Sequence, residues 1–255
     1  MLRFGLLGAG RIGKLHGGNI AGSAKAKLVA IADVDAAAAK ALAAATGAEA
    51  ASADQILADR SIDAILVASS TDTHADYIEK GARAGKAVLC EKPVSLDAKR
   101  IEACLKVGAA AEPPLRMVSN RRFDPNFAAL KKRLSAGAVG KVEMVTIISR
   151  DPGPPPVSYI KVSGGLYRDM MIHDFDLARF LLEEEPVEVH AVGSVLVDPA
   201  IGEAGDVDTA MVMLRTASGK LCQISNSRRA TYGYDQRIEV HGSEGMIRAG
   251  NIHET

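Results

Sequence analysis

The sequence predicts an α/β fold in which a doubly wound parallel sheet is followed by an α+β domain with an open-faced, mainly antiparallel sheet. Over the first 120 residues, short apolar runs alternate with helical segments, as in successive βαβ units. A glycine-rich turn joins the first apolar run to the first helix. From residue 187 onward, strand-like runs are separated by Gly, Ser and Asp turns, which is typical of antiparallel sheets.

The first element is a strand at residues 2–8, followed by a helix at residues 14–21. Between them, the glycine motif has the spacing of a dinucleotide site in its required context of strand, turn and helix. The first glycine permits a tight turn, the second lets the backbone approach a pyrophosphate, and the third lets helix and strand pack closely, while the helix N-terminus attracts phosphate. The candidate cofactor-binding residues here are Gly8, Gly10, Arg11, Ile12 and Gly13.

The next apolar run, residues 28–33, ends in Asp33, which lies 20 residues after Gly13. This spacing is expected of a carboxylate that binds the adenosine ribose hydroxyls. Val34 follows, and the next basic residue is Lys40. A 2′-phosphate would meet repulsion without a cation to hold it, so the sequence favours NAD over NADP. A glycine-rich turn followed by a capping aspartate is the alternative.

The remaining elements continue the alternation up to a change of pattern near residue 120. We therefore predict one domain at residues 1–120 and a second at residues 121–255. In the first domain we predict helices at residues 35–45, 75–84 and 96–110 and strands at residues 62–68, 86–90 and 115–119. In the second we predict helices at residues 126–135 and around His173, and strands at residues 141–150, 187–197, 209–215, 221–227, 236–241 and 246–248.

Composition limits the possible partners and compartments. The chain has 31 basic and 31 acidic residues, which argues against nucleic acid or an anionic membrane as the main partner. Apolar residues make up 47% of the chain without a run of membrane-spanning length, and Met1 opens directly into the first strand. We therefore expect a cytoplasmic protein without a signal peptide. We expect no metal site, because the three cysteines have no CxxC spacing and four of the histidines have no metal-like spacing. These residues are Cys90, Cys104 and Cys222, and His16, His190, His241 and His253.

Two distant motifs carry residues suited to acid–base chemistry. Lys92 directly follows the strand at residues 86–90, at the carboxyl end where open α/β sheets bind ligands. Asp169 and His173 are four residues apart and would project from one face of a helix. These side chains can hold a hydroxyl and accept its proton, while the hydride needs an organic acceptor. The pattern therefore indicates a hydride-transfer site.

Each of these residues has a structural alternative. A lysine before a proline is usually a solvated loop charge, and Asp169 with His173 could form a simple helix-surface pair. Thr71 is a candidate for contact with NAD, although Thr73 as a helix N-cap would explain the same segment. Two further acids are omitted from the catalytic set because they can cap or pair locally, namely Asp174 and Asp176.

Eight motifs together resemble the Gfo/Idh/MocA oxidoreductases, and within that family the dehydrogenases that act on inositol. The resemblance covers nearly the whole chain. It implies a Rossmann domain followed by an open-faced sheet that binds substrate and forms oligomers. The motifs are Gly8-x-Gly10-x-x-Gly13, Ser69-Ser-Thr-Asp-Thr-His74, Glu91-Lys92-Pro93, Asn120-Arg-Arg-Phe-Asp124, Ser149-Arg-Asp-Pro-Gly-Pro-Pro-Pro156, Ser163-Gly-Gly165, Asp169-x-x-x-His173-Asp-x-Asp176 and Tyr232-Gly-Tyr-Asp-Gln-Arg237.

The resemblance implies NAD-dependent oxidation of a ring hydroxyl of a polyol or sugar, with myo-inositol and its 2-keto product as the specific expectation. His173 is the implied base, and Asp169 helps to orient the substrate and stabilises the protonated imidazole. Lys92 donates a hydrogen bond to a ring hydroxyl, and its peptide bond to Pro93 is expected to be cis. A homo-oligomer, by resemblance a tetramer, is expected. Further implied residues are Thr71, His74 and Glu91 for the cofactor and Asn120, Arg122, Asp151, Tyr234 and Gln236 for the substrate.

Three alternatives stay open at this point. Another inositol isomer or a sugar could be the substrate, and a non-catalytic NAD-binding sensor could share the fold. A sensor has no need of Lys92, Asp169 and His173 together. Similar family members continue beyond the position of Thr255, so we expect an incomplete second domain whose missing strands would leave backbone groups unpaired.

Overall fold

The computed structural model describes residues 1–110, 112 and 114–251, so His253 lies outside the described residues. The chain divides into two compact units, Met1–Val118 and Ser119–Thr255.

The first unit is a six-stranded sheet with helices on both faces. The strand order is β3-β2-β1-β4-β5-β6, and every adjacent pair among these strands is parallel. This confirms the predicted doubly wound sheet, whose order reverses between β1 and β4. The elements are β1 Leu2–Leu7, α1 Arg11–Ala21, β2 Ala26–Ala32, α2 Ala36–Thr46, β3 Glu49–Ala50, α3 Ala53–Ala58, β4 Ala64–Val67, α4 Thr71–Arg83, β5 Ala87–Cys90, α5 Ala98–Ala110 and β6 Leu115–Met117.

Burial explains why the strands of this unit are short apolar runs. Successive residues of β1 belong to two different apolar clusters, one on each face of the sheet. On one face, Leu6 packs beside Leu28 and Leu42. On the other face, Leu7 packs beside Ile65 and Val88. Both faces of the sheet are therefore covered, as expected for parallel strands.

Two local features differ from the prediction. The strand β3 and helix α3 were not predicted, although Ser52 and Gln55 form a capping box at the start of α3. Helix α4 begins at Thr71, with Ser70 at the N-cap position, so the Thr73 cap is wrong. The Thr73 hydroxyl instead donates to the Ser70 carbonyl at 2.8 Å.

The second unit is a mixed sheet with helices packed against it. The order is β12-β11-β7-β10-β9-β8; β7 and β10 are parallel and the other four described pairs are antiparallel. The predicted mainly antiparallel sheet is confirmed. The elements are a 3₁₀ turn Asn120–Phe123, α6 Pro125–Ser135, β7 Val142–Arg150, α7 Val157–Ser163, a π-helical turn Leu166–Met170, α8 Ile172–Leu182, β8 Pro186–Ser194, α9 Pro199–Glu203, β9 Thr209–Thr216, β10 Leu221–Ser227, β11 Asp235–Gly242 and β12 Gly245–Gly250.

One face of this sheet forms the core of the unit and the other is exposed. Helices α6 and α8 bring Leu130 and Leu181 onto inward-facing residues such as Ile147 and Ile224. The alternate positions of the same strands are exposed although several are large and apolar. These exposed residues include Met144, Val192, Met211, Met213 and Leu221.

Candidate active site

The glycine turn after β1 is shaped by backbone contacts that a side chain would prevent. Gly8 has a φ of 109°, and a Cβ placed there would lie 2.4 Å from the Ala68 carbonyl oxygen. A Cβ at Gly13 would lie 2.0 Å from the Gly8 carbonyl oxygen. The turn is thereby held close to the loop after β4 and to helix α1. This packing requires glycine at both positions.

Gly10 and the start of α1 offer a suitable cradle for a pyrophosphate. A Cβ at Gly10 would have no described atom within 4 Å, so the space above its backbone is open. Gly10 is the N-cap residue of α1 and has no side chain to cover the first amides of the helix. Exposed amides and the helix dipole favour an anion at this point. Arg11 and Ile12 form the first turn of α1 and are exposed and half-buried respectively.

Asp33 lies at the end of β2 and binds the glycine turn directly. Its Oδ2 accepts a hydrogen bond from the Ala9 amide at 2.6 Å, and its Oδ1 accepts from the Asp35 amide at 2.8 Å. A carboxylate has about four acceptor positions, so ribose hydroxyls can bind in addition. The neighbouring Val34 side chain is exposed.

The loops after β4 and β5 are joined through His74. This residue is 2% exposed, and its Nδ1 and Nε2 lie 2.7 Å and 3.1 Å from the carbonyl oxygens of Pro93 and Ser69. These contacts give His74 a structural role in holding the segment that carries Lys92, which the sequence did not reveal. Thr71 is the first residue of α4 and is half-buried.

Lys92 follows β5, and its bond to Pro93 is cis, as the resemblance implied. The preceding Glu91 accepts a hydrogen bond from His16 of α1, with Nε2 and Oε1 2.6 Å apart. Burial raises the pKa of Glu91, but the hydrogen bond and charge of His16 outweigh it and the pKa falls below its usual range. Glu91 therefore ties the loop after β5 to α1.

In the second unit, Asp169 and His173 do not share one continuous α-helix as the sequence predicted. Asp169 belongs to the π-helical turn Leu166–Met170, and His173 is the second residue of α8, which begins at Ile172. Met171 separates the two segments. The four-residue spacing does not distinguish an α-helix from a π-turn joined to one, which explains the error. Such π-helical segments occur frequently at functional sites.

Asp169 lies among charged groups. Its Oδ1 accepts a hydrogen bond from the Tyr159 hydroxyl at 3.0 Å, and its Oδ2 lies 3.9 Å from Nη1 of Arg228. Arg228 is 1% exposed and its Nη2 lies 3.6 Å from Oδ2 of Asp206. Within the described chain, Nε and Nη2 of Arg228 have no hydrogen-bond partner. This buried cation balances the acidic groups around it.

Asp151, which follows β7, belongs to the same electrostatic environment. Burial raises the pKa of its carboxyl above the usual range, the guanidinium groups of Arg228 and Arg121 lower it, and the charges of Asp169 and Asp174 raise it again. The net pKa is raised. A carboxyl tuned in this way is typical of a functional site.

The other predicted substrate-binding residues differ in exposure and in their hydrogen-bond partners. Asn120 and Tyr234 are exposed. Arg122 forms two hydrogen bonds with Asp176, of 2.8 Å and 2.6 Å, and lies over the Phe180 ring, which is a structural role. Gln236 is 4% exposed and donates to the Ser149 hydroxyl. This bond ties Gln236 of β11 to β7, and the predicted role of Gln236 as a substrate ligand stays a prediction.

A buried network in this unit was not predicted. Asp174 is fully buried and pairs with Arg121, while Asp176 pairs with Arg122. Both acids were expected to cap or pair locally, but their partners lie 53 and 54 residues away. The adjacent Arg121 and Arg122 were the only hint of these ion pairs in the sequence. The sequence alone does not show which distant carboxylate each arginine contacts.

Comparison with known proteins decides the family. Residues 2–119 match the family model described as the oxidoreductase family with an NAD-binding Rossmann fold, and residues 127–248 match the GFO/IDH/MocA C-terminal domain. This chain belongs to the Gfo/Idh/MocA oxidoreductase family. The first unit is therefore an NAD-binding Rossmann domain, in agreement with the open cradle at Gly10.

Similar proteins within the family share most of the chain. An inositol 2-dehydrogenase from Rhizobium meliloti (strain 1021) is 61% identical over 98% of this chain and 76% of its own length. The crystal structure of a myo-inositol dehydrogenase from Corynebacterium glutamicum is 46% identical, with a TM-score of 0.95 over 100% of this chain and 77% of that one. A scyllo-inositol dehydrogenase from Lactobacillus casei with bound NAD(H) and scyllo-inositol is 30% identical, with a TM-score of 0.89 over 97% and 76% of the two chains.

The described residues contain neither a candidate metal-ligand group nor a helix suited to span a membrane. None of their His, Cys, Asp and Glu side chains form a group of three or more that could hold a metal ion. Among the helices that the structure describes, none has the length and apolar character needed to cross a membrane.

Proposed function

We propose that this oxidoreductase oxidises the C2 hydroxyl of myo-inositol to 2-keto-myo-inositol, also called scyllo-inosose, with NAD as the hydride acceptor. The observation that carries the proposal is the 61% identity, over 98% of the chain, to an inositol 2-dehydrogenase. Such a reaction requires a nucleotide cradle, a base for the hydroxyl proton and polar groups for the other hydroxyls. The chain offers candidates for each.

His173 is the proposed general base, which accepts the proton of the reacting hydroxyl as the carbon gives up its hydride. Asp169 orients the substrate and stabilises the protonated imidazole, and the Tyr159 hydroxyl and Arg228 support this carboxylate. Lys92 donates a hydrogen bond to a ring hydroxyl and fixes the position of the carbinol carbon. Bound NAD supplies the carbon that accepts the hydride.

The remaining polyol hydroxyls need both donors and acceptors. Asn120, Asp151 and Tyr234 are the proposed direct ligands, because their side chains are exposed or half-buried. Arg122 and Gln236 support the site indirectly, Arg122 through its ion pair with Asp176 and Gln236 through its hydrogen bond to Ser149. On the cofactor side, the proposed residues are Gly8, Gly10, Arg11, Ile12, Gly13, Asp33, Thr71 and Glu91, with His74 holding the loops.

Another inositol isomer is the second candidate substrate. The L. casei structure carries scyllo-inositol beside NAD(H), and this isomer differs from myo-inositol only in the configuration at C2. Discrimination between the isomers depends on the placement of hydroxyl-binding groups, because an unpaired buried polar group is costly.

A panel of polyols tests the substrate. The protein is incubated with NAD and, separately, with myo-inositol, scyllo-inositol, D-chiro-inositol and glucose, and NADH is followed by its absorbance. We expect the highest kcat/KM with myo-inositol. A higher value with scyllo-inositol would establish the second candidate, and NAD binding without NADH formation on any polyol would indicate a sensor.

The proposed role of Asp33 gives a prediction for cofactor choice. Replacing Asp33 with Ser and Val34 with Arg is expected to shift the ratio of kcat/KM values from NAD toward NADP, because repulsion of a 2′-phosphate is removed and a cation is added. Ser also retains an acceptor for one of the two amides that Asp33 binds. Steady-state kinetics with both cofactors measure the ratio.

The matched control is Asp35→Asn, which removes a nearby negative charge but retains a residue that can cap α2 through the same hydrogen bonds. This variant is expected to keep the parent preference. An unchanged ratio in the Asp33/Val34 double variant would refute the assignment of Asp33 to the ribose.

We further propose that the protein is a homo-oligomer, a tetramer by family resemblance, in the cytoplasm. The exposed apolar side chains on the open sheet face support self-association. The three buried, unbridged cysteines support a reducing compartment. Light scattering after size-exclusion chromatography measures the oligomer, and a monomer at micromolar concentration would contradict it.

A further inference from the structure

The carboxylate of Asp174 is the centre of a buried polar network in the second unit. Asp174 is 0% exposed, and its Oδ1 accepts a hydrogen bond from Nη1 of Arg121. Its Oδ2 accepts from Nδ2 of Asn226 at 2.8 Å. Arg121 also donates to the Ser149 hydroxyl at 3.0 Å. The first turn of α8 is thereby joined to the Asn120–Phe123 turn and to strands β7 and β10.

The start of α8 needs such an anchor because the chain is irregular there. A π-helical turn precedes it, and within the described chain its N-cap residue, Met171, makes no side-chain cap hydrogen bond. In the first turn, the amides of Asp174 and Phe175 donate to the Met171 carbonyl at 2.9 Å each. Helix capping therefore does not fix the direction in which the side chains of this turn point.

The contacts of Asp174 do fix that direction. Successive residues of an α-helix are about 100° apart around its axis. With the Asp174 side chain held in the core by Arg121 and Asn226, a rotation of the first turn about the helix axis would break these contacts. His173, the preceding residue, therefore leaves the helix in a fixed direction, half-buried beside the core.

The energetics of a buried ion pair agree with a role in geometry. Burial raises the pKa of Asp174, whereas the charge of Arg121 and the hydrogen bonds from Asn226 and Arg121 lower it. Such a pair contributes little net stability because desolvation offsets attraction, but it restricts the arrangements in which both charges are satisfied. A helix in the wrong orientation would leave a buried charge unpaired.

We propose that Asp174, held by Arg121 and Asn226, is a positioning residue for His173 and sets the orientation of the general base. This inference rests on the proposed function of His173 as the base. A base displaced by about 1 Å can lose about 100-fold in rate, so the positioning residue affects turnover although it does not touch substrate or cofactor.

A double-mutant cycle tests the proposal through turnover. Asp174→Asn is expected to lower kcat about 10- to 100-fold in the presence of His173. Combined with His173→Ala, the same change is expected to lower kcat less than about two-fold further, because a residue acting only through His173 has no effect once His173 is absent. The KM for NAD should stay at the parent value in all four proteins.

Two more variants keep the test decisive. Glu185→Gln removes an exposed ion pair with Arg179 near the end of the same helix and should leave kcat unchanged. Asn226→Ala removes one donor to Asp174 and retains the Arg121 pair, so it should fold, lower kcat several-fold and show the same dependence on His173. If Asp174→Asn does not fold, Asn226→Ala decides.

The outcomes separate this proposal from the proposed function. Near-parent turnover of His173→Ala alone would show that His173 is not the base. The positioning role alone would be overturned by a different result. In that result, His173→Ala lowers kcat as expected, but Asp174→Asn or Asn226→Ala lowers kcat by the same factor whether residue 173 is His or Ala. Unchanged kcat in folded Asp174→Asn would also overturn it.

Discussion

Replacing His173 with alanine is expected to lower the turnover number on myo-inositol by about 100-fold or more, because general-base catalysis commonly contributes 10²- to 10⁴-fold. The affinity for NAD should not change, since the proposed nucleotide-binding residues belong to the Rossmann unit. Steady-state kinetics give kcat, and calorimetric titration gives the dissociation constant of NAD.

A matched control is available in the same unit. His190 lies on the exposed strand β8, and its replacement with alanine should leave turnover at the parent level. Near-parent turnover of the His173 variant would place the base elsewhere, and Asp169 would be the next candidate.

Replacing Lys92 with alanine is expected to lower turnover and raise the KM for the polyol together. The change removes both a group that positions the carbinol carbon and a charge-assisted hydrogen bond to a ring hydroxyl. We expect a decrease in kcat/KM of about 100-fold or more, since each lost contribution is worth about tenfold or more. Steady-state kinetics with myo-inositol separate the two constants.

The control for this variant is Lys99→Ala, which removes an exposed lysine from the first turn of α5. Its kinetic constants should match the parent. If Lys92→Ala changed the KM for NAD but neither constant for the polyol, the role of Lys92 would be cofactor binding instead of substrate positioning.

The Rossmann unit and the glycine turn after its first strand were predictable because their determinants are local. The glycines at positions 8, 10 and 13 act through the backbone of a single turn, and Asp33 follows at a fixed distance along the next strand. The alternation of apolar runs and helical segments likewise predicted the parallel sheet. These features depend on short segments whose geometry the residue types set directly.

The arrangement around His173 was not predictable in the same way. A break at Met171 and a π-helical turn carrying Asp169 have no distinct spacing in the sequence. The pairing of Asp174 with Arg121 spans 53 residues, and the chain offers many arginines and carboxylates that could pair instead. The short strand β3, with only two residues, also provides too little periodicity for prediction.

The most direct test of the account follows the hydrogen at C2 of the substrate. The protein is incubated with NAD and myo-inositol that carries deuterium at C2, and both products are analysed by mass spectrometry and NMR. We expect the deuterium to appear at C4 of the reduced nicotinamide in equal amount to the 2-keto product. Reduced cofactor without deuterium, or deuterium retained in the oxidised polyol, would show that the hydride does not come from C2 and would contradict the proposed reaction.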